Sequence, residues 1–234
     1  MTRALSLTSP DGDRTGSRMT RARPVQARQP DDETADRAPS TSAGRVFLRV
    51  PVPSDREEFL ALMRASRTFH RPWASAPTDD ERFAAYLVDA RRPDFAALLV
   101  CRREDEAIVG FFNLSHITRG LLQSAYLGYA VGEPFAGQGY MREGIELVMR
   151  HSFQTLRLHR VEANIQPGNL HSVALARGAG FQREGFSPRY LKIGGRWRDH
   201  ERWAILAEDW RKRSQTLKSA PLSDVRLPSA RPPT

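Results

Sequence analysis

The chain has almost no cysteine. Cys101 is the single thiol among 234 residues, so no internal disulfide framework can form. A reducing compartment, the cytoplasm, suits such a chain, and Cys101, on a predicted strand, reads as a small buried hydrophobe. No apolar run approaches the roughly 18 residues that a membrane-crossing helix needs. Nor does the start carry the apolar stretch of about 7–15 residues of a cleavable secretory signal. The six histidines show no metal-ligand spacing with Cys101 or with carboxylates, so no metal is expected. A P-loop lysine and hydroxyl are missing too, because Tyr140 and Met141 follow Gly139. The dinucleotide fingerprint lacks its third glycine, whose place Arg142 takes.

Charge of one sign is in excess, with a net +9, but it is unevenly placed. Residues 1–44 carry seven Arg and six acids; 211–234 carry six basic residues and Asp224; 45–210 hold 23 basic and 20 acidic residues. The middle of the chain is therefore nearly balanced, and a DNA-reading surface is not implied. A solvated or weakly RNA-attracted C-terminal tail accounts for the excess. Residues 1–44 and 213–234 lack periodic apolar patterning and are rich in Arg, Ser, Thr and Pro. They are expected to be disordered tails around one domain at 45–212. Nothing in the leader resembles a domain, and a mis-assigned start is one reading of it.

Between the tails, strand and helix patterns alternate. Strands are predicted over 45–50, 95–101, 107–117, 126–131, 160–165, 181–193 and 196–206, the last two joined at Gly194-Gly195, a strong hairpin signal. Helices are predicted over 54–67, 78–91 (opened by a capping box, Thr78-Asp79-Asp80-Glu81), 138–156 and 169–177. In the third helix Met141, Ile145, Val148, Met149 and Phe153 form one core-facing stripe. The order is that of an α+β sheet. Gly137-Gln138-Gly139 lies between the apolar strand Leu127 to Val131 and this amphipathic helix. A glycine turn running into a helix N-terminus gathers unpaired N–H groups beside the positive end of the dipole, which suits a phosphorylated ligand.

Three blocks, in order and spacing, carry a resemblance: Tyr129-Ala130-Val131 with Gly137-Gln138-Gly139-Tyr140-Met141, then Asn169-Leu170-His171-Ser172, then Ala179-Gly180-Phe181. They resemble the GNAT acetyltransferase superfamily. Phe69-His70-Arg71-Pro72-Trp73, Asn113-Leu114-Ser115, Arg119-Gly120 and Gly195 to His200 further resemble its RimJ-type ribosomal-protein-alanine N-acetyltransferases. The resemblance covers about residues 45–210. It implies a mixed, mostly antiparallel seven-stranded sheet flanked by about four helices and splayed between strands 4 and 5. It also implies acetyl-CoA as co-substrate and the N-terminal amine (Ala or Ser) of a ribosomal protein as acceptor. The implied cofactor contacts are main-chain groups of Tyr129 and Val131 on the pantetheine arm, Gly137, Gln138, Gly139, Tyr140 and Met141 on the pyrophosphate, and Asn169 on the pantetheine. Ser172 resembles the hydroxyl that returns a proton to the CoA thiolate; otherwise it is a first-turn residue bonding its own backbone. Pro134 departs from the superfamily, which usually has Gln or Arg there.

An α-amino group costs about 1–1.4 kcal/mol to deprotonate at pH 7, whereas a lysine costs about 4.6 kcal/mol. An N-terminal acetyltransferase can therefore work with a weak base. No single general base stands out: Glu162, Asp199 and His200 are the candidates, and Glu162 reads equally as an ordinary strand carboxylate paired with Arg160 or a neighbouring basic residue. Trp73, Asn113, Tyr190 and Asp199 are candidate acceptor contacts, while Trp197 reads as hairpin packing. A small-molecule amine acetyltransferase and a non-catalytic acyl-CoA-binding module are the competing readings. Helices 54–91 carry both acids and arginines and do not choose between them. A monomer and a dimer are both compatible with the chain.

Overall fold

The computed structural model describes residues 44–219. Among them, seven strands form one sheet: β1 (Val46–Arg49), β2 (Ala96–Arg102), β3 (Ile108–Thr118), β4 (Ser124–Val131), β5 (Arg160–Ile165), β6 (Gln182–Ile193) and β7 (Arg196–Leu206). Their spatial order is β1-β2-β3-β4-β5-β7-β6. Every pairing is antiparallel except β4 with β5, which run parallel.

Six helices flank the sheet among the described residues: α1 (Arg56–Ala65), α2 (Arg67–His70), α3 (Asp80–Asp89), α4 (Tyr140–Arg150), α5 (Leu170–Gly178) and α6 (Ala207–Ser219). Helices α4 and α5 close one face over Val100, Phe112, Leu114, Leu127, Val161 and Ala163. The other face carries α1 and α3, where Phe59, Met63, Phe83 and Tyr86 pack on Leu99, Cys101, Phe111 and Ala130. A central strand covered on both sides needs apolar residues at consecutive positions. That accounts for the unbroken Ala97-Leu98-Leu99-Val100-Cys101 run. Burial pushes the Cys101 thiol up to about 11, so it is an unreactive core group.

The predicted stripe of α4 is buried at Ile145, Val148, Met149 and Phe153. The α-helix stops at Arg150, however, and a π-turn (His151–Thr155) carries Phe153 inward. At α3 the cap is Asp79 rather than Thr78: the Asp79 side chain accepts from the Arg82 N–H at 2.9 Å. Two helices exceed the four expected. One is the single turn α2. The other, α6, runs to Ser219, past the predicted boundary at 212. Trp210 buries its ring against Phe153 at 5.6 Å, and Arg213 pairs with Glu146 at 2.5 Å while donating to the Ala179 carbonyl. The polar composition around these two anchors concealed the helix from pattern reading. Residues 213–219, expected to be disordered, belong to α6, as do Arg211, Lys212, Arg213 and Lys218 of the basic tail; the predicted disorder of 1–43 and 220–234 falls outside the described residues.

Candidate functional site

The two parallel strands part company early. β4 and β5 pair only at Ser124, Ala125 and Tyr126 against Arg160, Val161 and Glu162. Beyond Tyr126 they diverge, while β4 stays paired to β3 as far as Val131. The Gly132 N–H points at the Val109 carbonyl on the β3 side. Alternation along the strand therefore turns the main-chain groups of Val131 and Tyr129 into the gap. The Val131 carbonyl is already taken there by His70 Nε2 at 2.8 Å.

At the far end of β4 the chain makes the glycine turn. Gly137 and Gly139 have φ of +74° and +85°, the left-handed region that side chains with a Cβ avoid. Among the described residues, no acceptor meets the N–H groups of Gly137, Gln138, Gly139, Tyr140 or Met141. Those of Arg142 and Glu143 bond the Gly139 carbonyl and start α4. Five consecutive free donors at a helix N-terminus form an anion cradle. Arg45, which pattern reading passed over, braces it. Its Nη2 donates to the Gln138 carbonyl at 2.9 Å, its guanidinium lies 4.7 Å from the Tyr140 ring centre, and it pairs with Glu143 at 2.6 Å. No local signal marks this residue, since its partners lie about ninety positions away.

On the same face of the gap, α5 presents its first turn. The Asn169 side chain accepts from the Ser172 N–H at 3.2 Å, and the Tyr129 hydroxyl donates to the Ser172 carbonyl at 3.2 Å. Burial raises the Tyr129 phenol to about 12, keeping it neutral. Tyr129, Asn169 and Ser172 therefore meet beside the gap. The Ser172 N–H is held by the cap, which leaves its hydroxyl unengaged among the described residues.

The opposite face gathers a second set. Glu162 and Asn164 alternate with core residues Val161, Ala163 and Ile165, and Asn113 lies across from Gly128. Tyr86 donates to Asn113 Oδ1 at 2.9 Å. Glu162 Oε1 accepts from Arg160 Nε at 2.8 Å, the alternative pairing foreseen for it, and Oε2 has no partner among the described residues. Tyr190 contacts the Tyr126 hydroxyl, raising the pKa of that phenol, and its ring sits edge-on to His200 at 6.1 Å. Burial lowers the pKa of His200, whose Nδ1 lies 3.0 Å from the Arg198 carbonyl. Asp199 stands apart from this group: it is exposed, and its Oδ1 accepts from the Arg189 N–H at 2.7 Å across the β6 irregularity.

A strap crosses the top. Gln166, after β5, donates to the carbonyls of Pro72 and Trp73 at 3.3 and 3.2 Å. Trp73 packs so closely on Gly168 that a Cβ there would sit 3.0 Å from its ring. With His70 holding Val131, segment 70–73 fastens to both lips of the gap. Beside it lies a cleft of about 610 Å³, bounded by Met63, Arg67, Arg71, Arg82 and the hairpin residue Arg198. Among the described residues, no group of three His, Cys, Asp or Glu could hold a metal ion. No described helix is long and apolar enough to cross a membrane.

Residues 45–182 match the Acetyltransferase (GNAT) domain family. The chain is 32% identical over 172 residues to the Probable N-acetyltransferase YjcK of Bacillus subtilis, covering 70% of this chain and 95% of that protein. It is 37% identical over 107 residues to the [Ribosomal protein uS5]-alanine N-acetyltransferase of Escherichia coli, covering 46% of this chain and only 55% of that relative. A solved structure of Mycobacterium smegmatis RimJ in complex with CoA-disulfide superposes with a TM-score of 0.64 at 29% identity, over 70% of this chain and 82% of that one. A weaker similarity, 25% over 147 residues, links it to the Spermidine N(1)-acetyltransferase of Vibrio cholerae, with 63% and 82% of the two chains covered. A seven-stranded sheet splayed beside a free N–H cradle, together with these matches, places the chain in the GNAT acetyltransferase family, with acetyl-CoA as its co-substrate.

Proposed function

We propose that the protein transfers the acetyl group of acetyl-CoA to the N-terminal α-amine of a protein, an Ala or Ser residue of a ribosomal protein. The observation that carries this choice of acceptor is the sign of the cleft. Four arginines, at 67, 71, 82 and 198, line it against one carboxylate, Asp79. A polyamine would bring several positive charges into that lining and be repelled. A polypeptide terminus brings one amine followed by neutral amides. The likeness to the E. coli alanine N-acetyltransferase supports the same reading.

In this reading Gly137, Gln138, Gly139, Tyr140 and Met141 seat the diphosphate, and Asn169 with the main chain of Tyr129 and Val131 guides the pantetheine into the gap. An N–H on the free edge of β4 polarises the thioester carbonyl. Trp73, Asn113 and Tyr190 bound the acceptor side, and Asp199 sets the hairpin rim. The amine attacks as a free base, its proton passing to Glu162 Oε2 directly or through water, the C–N bond forms and the C–S bond breaks. Ser172 relays a proton from solvent to the departing thiolate. A thiol titrates near 8.5, so its anion leaves readily and needs little help. Ser172→Ala is accordingly expected to lower kcat about tenfold, below the usual range of about 10²–10⁴-fold for general-acid effects, with the acetyl-CoA KM within about twofold. An unchanged kcat would remove Ser172 from the mechanism.

Release of CoA thiol in the presence of Ala- or Ser-initiated peptides, compared with spermidine, tests the acceptor class. Peptide-dependent release with spermidine inert is the expected outcome. Release with spermidine alone would overturn the proposal.

A further inference from the structure

We infer that the cleft beside the strap is an anion-reading subsite: it takes a carboxylate carried by the acceptor, an acidic side chain a few residues behind the reacting amine. This rests on the peptide-acceptor reading and adds to it which peptides are taken.

Fewer than half of the described arginines meet a carboxylate. Arg45, Arg49, Arg56, Arg92, Arg102, Arg160, Arg183 and Arg213 each meet a carboxylate. Of the four around the cleft, Arg82 reaches Asp79 at 3.4 Å. Arg67, Arg71 and Arg198 have no carboxylate within 4.0 Å among the described residues, although they come from α2, the strap and the hairpin and converge on one cavity. Arg198 adds a second, independent sign: its Nε is buried and has no hydrogen-bond acceptor. A buried guanidinium N–H without an acceptor is costly, which marks the pairing of this guanidinium as incomplete. The planar fork of a guanidinium matches a carboxylate with two parallel bonds.

Position ties this cavity to the reaction. Arg71 adjoins His70, which holds the lip of β4, and Pro72, whose carbonyl is tied to the end of β5 through Gln166. An acceptor whose amine enters the gap under the strap from this face must lay its following residues against the cleft. The chain there would meet three uncompensated cations.

The test compares Ala-initiated hexapeptides carrying Glu, Gln or Lys at positions 2 to 4, with free glutamate as a carboxylate source lacking the peptide chain. Each acceptor is measured for KM by thiol release, and each peptide, fluorescently labelled at its C-terminus, for Kd by anisotropy on the protein saturated with CoA. A charge-assisted bond supports a KM and Kd about tenfold lower for the Glu peptide than for the Gln peptide, and lower again relative to Lys. In Arg198→Glu, and separately in Arg71→Glu, the order should invert so that the Lys peptide binds best. Inversion is a gain that a merely misfolded variant cannot show. Equal Kd for the three peptides, or variants that weaken all three alike, would overturn the inference. If no peptide turns over while the Glu peptide still binds best, or if glutamate alone is acetylated, the subsite stands and the peptide-acceptor reading falls.

Discussion

Gly139→Val is expected to raise the KM for acetyl-CoA about 100-fold while leaving the acceptor KM within about twofold. Two independent obstacles meet at this position. The backbone sits at φ +85°, where a β-branched residue is a true outlier, and a Cβ would lie 3.1 Å from Arg45 Nη2. Relieving the strain rotates the Gly139 and Tyr140 N–H groups out of the cradle. Displacing Arg45 loosens the Gln138 carbonyl it holds. Losing two hydrogen bonds to a phosphate, each worth about 1.5–3 kcal/mol, accounts for a factor of at least that size. The readout is steady-state kinetics with each substrate varied in turn, and an acetyl-CoA KM near the wild-type value would refute the cradle's role.

Gly110→Ala is expected to destabilise the fold by about 3 kcal/mol, lowering Tm by about 6–12 °C. Gly110 lies opposite Val131, and a Cβ there would fall 2.3 Å from the Ala130 carbonyl oxygen and 2.9 Å from the Val131 Cα. Both obstructing atoms are main chain, so no rotamer change relieves them. β3 and β4 would have to separate beside the Gly132 to Val109 hydrogen bond, at the end of β4 that lines the gap. The same variant should therefore lose kcat as well as stability. Gly128→Ala is the control for the fold, since nothing lies within 4 Å of its Cβ position. Its Tm is expected to stay within about 3 °C of wild type. A scanning-calorimetry Tm for Gly110→Ala within that same margin would show that the two strands tolerate separation.

What could be read beforehand follows from how local each signal is. The limits of β5, the Gly194-Gly195 hairpin and the glycine turn were legible because period-two alternation and positive φ are properties of neighbours in sequence. The seven-strand sheet with its gap came through the resemblance of the blocks around residues 129–141, 169–172 and 179–181. The bracing of the cradle by Arg45 was not legible, nor was the hold of His70 on Val131, because each joins residues far apart along the chain. Helix α6 escaped because its packing rests on Trp210 and Arg213 within an otherwise polar stretch. The mixed charges of residues 54–91 looked uninformative for the same reason. Only in the fold do Asp80 and Arg56 pair at 2.5 Å, while Arg67 and Arg71 turn to the cleft unpaired.

Titration calorimetry of coenzyme A into the purified protein, run beside Gly139→Val, bears most directly on the account. Saturable one-to-one heat for the wild type, weakened about 100-fold in the variant, is the predicted result. No heat with the wild type, or equal affinity in both proteins, would contradict it.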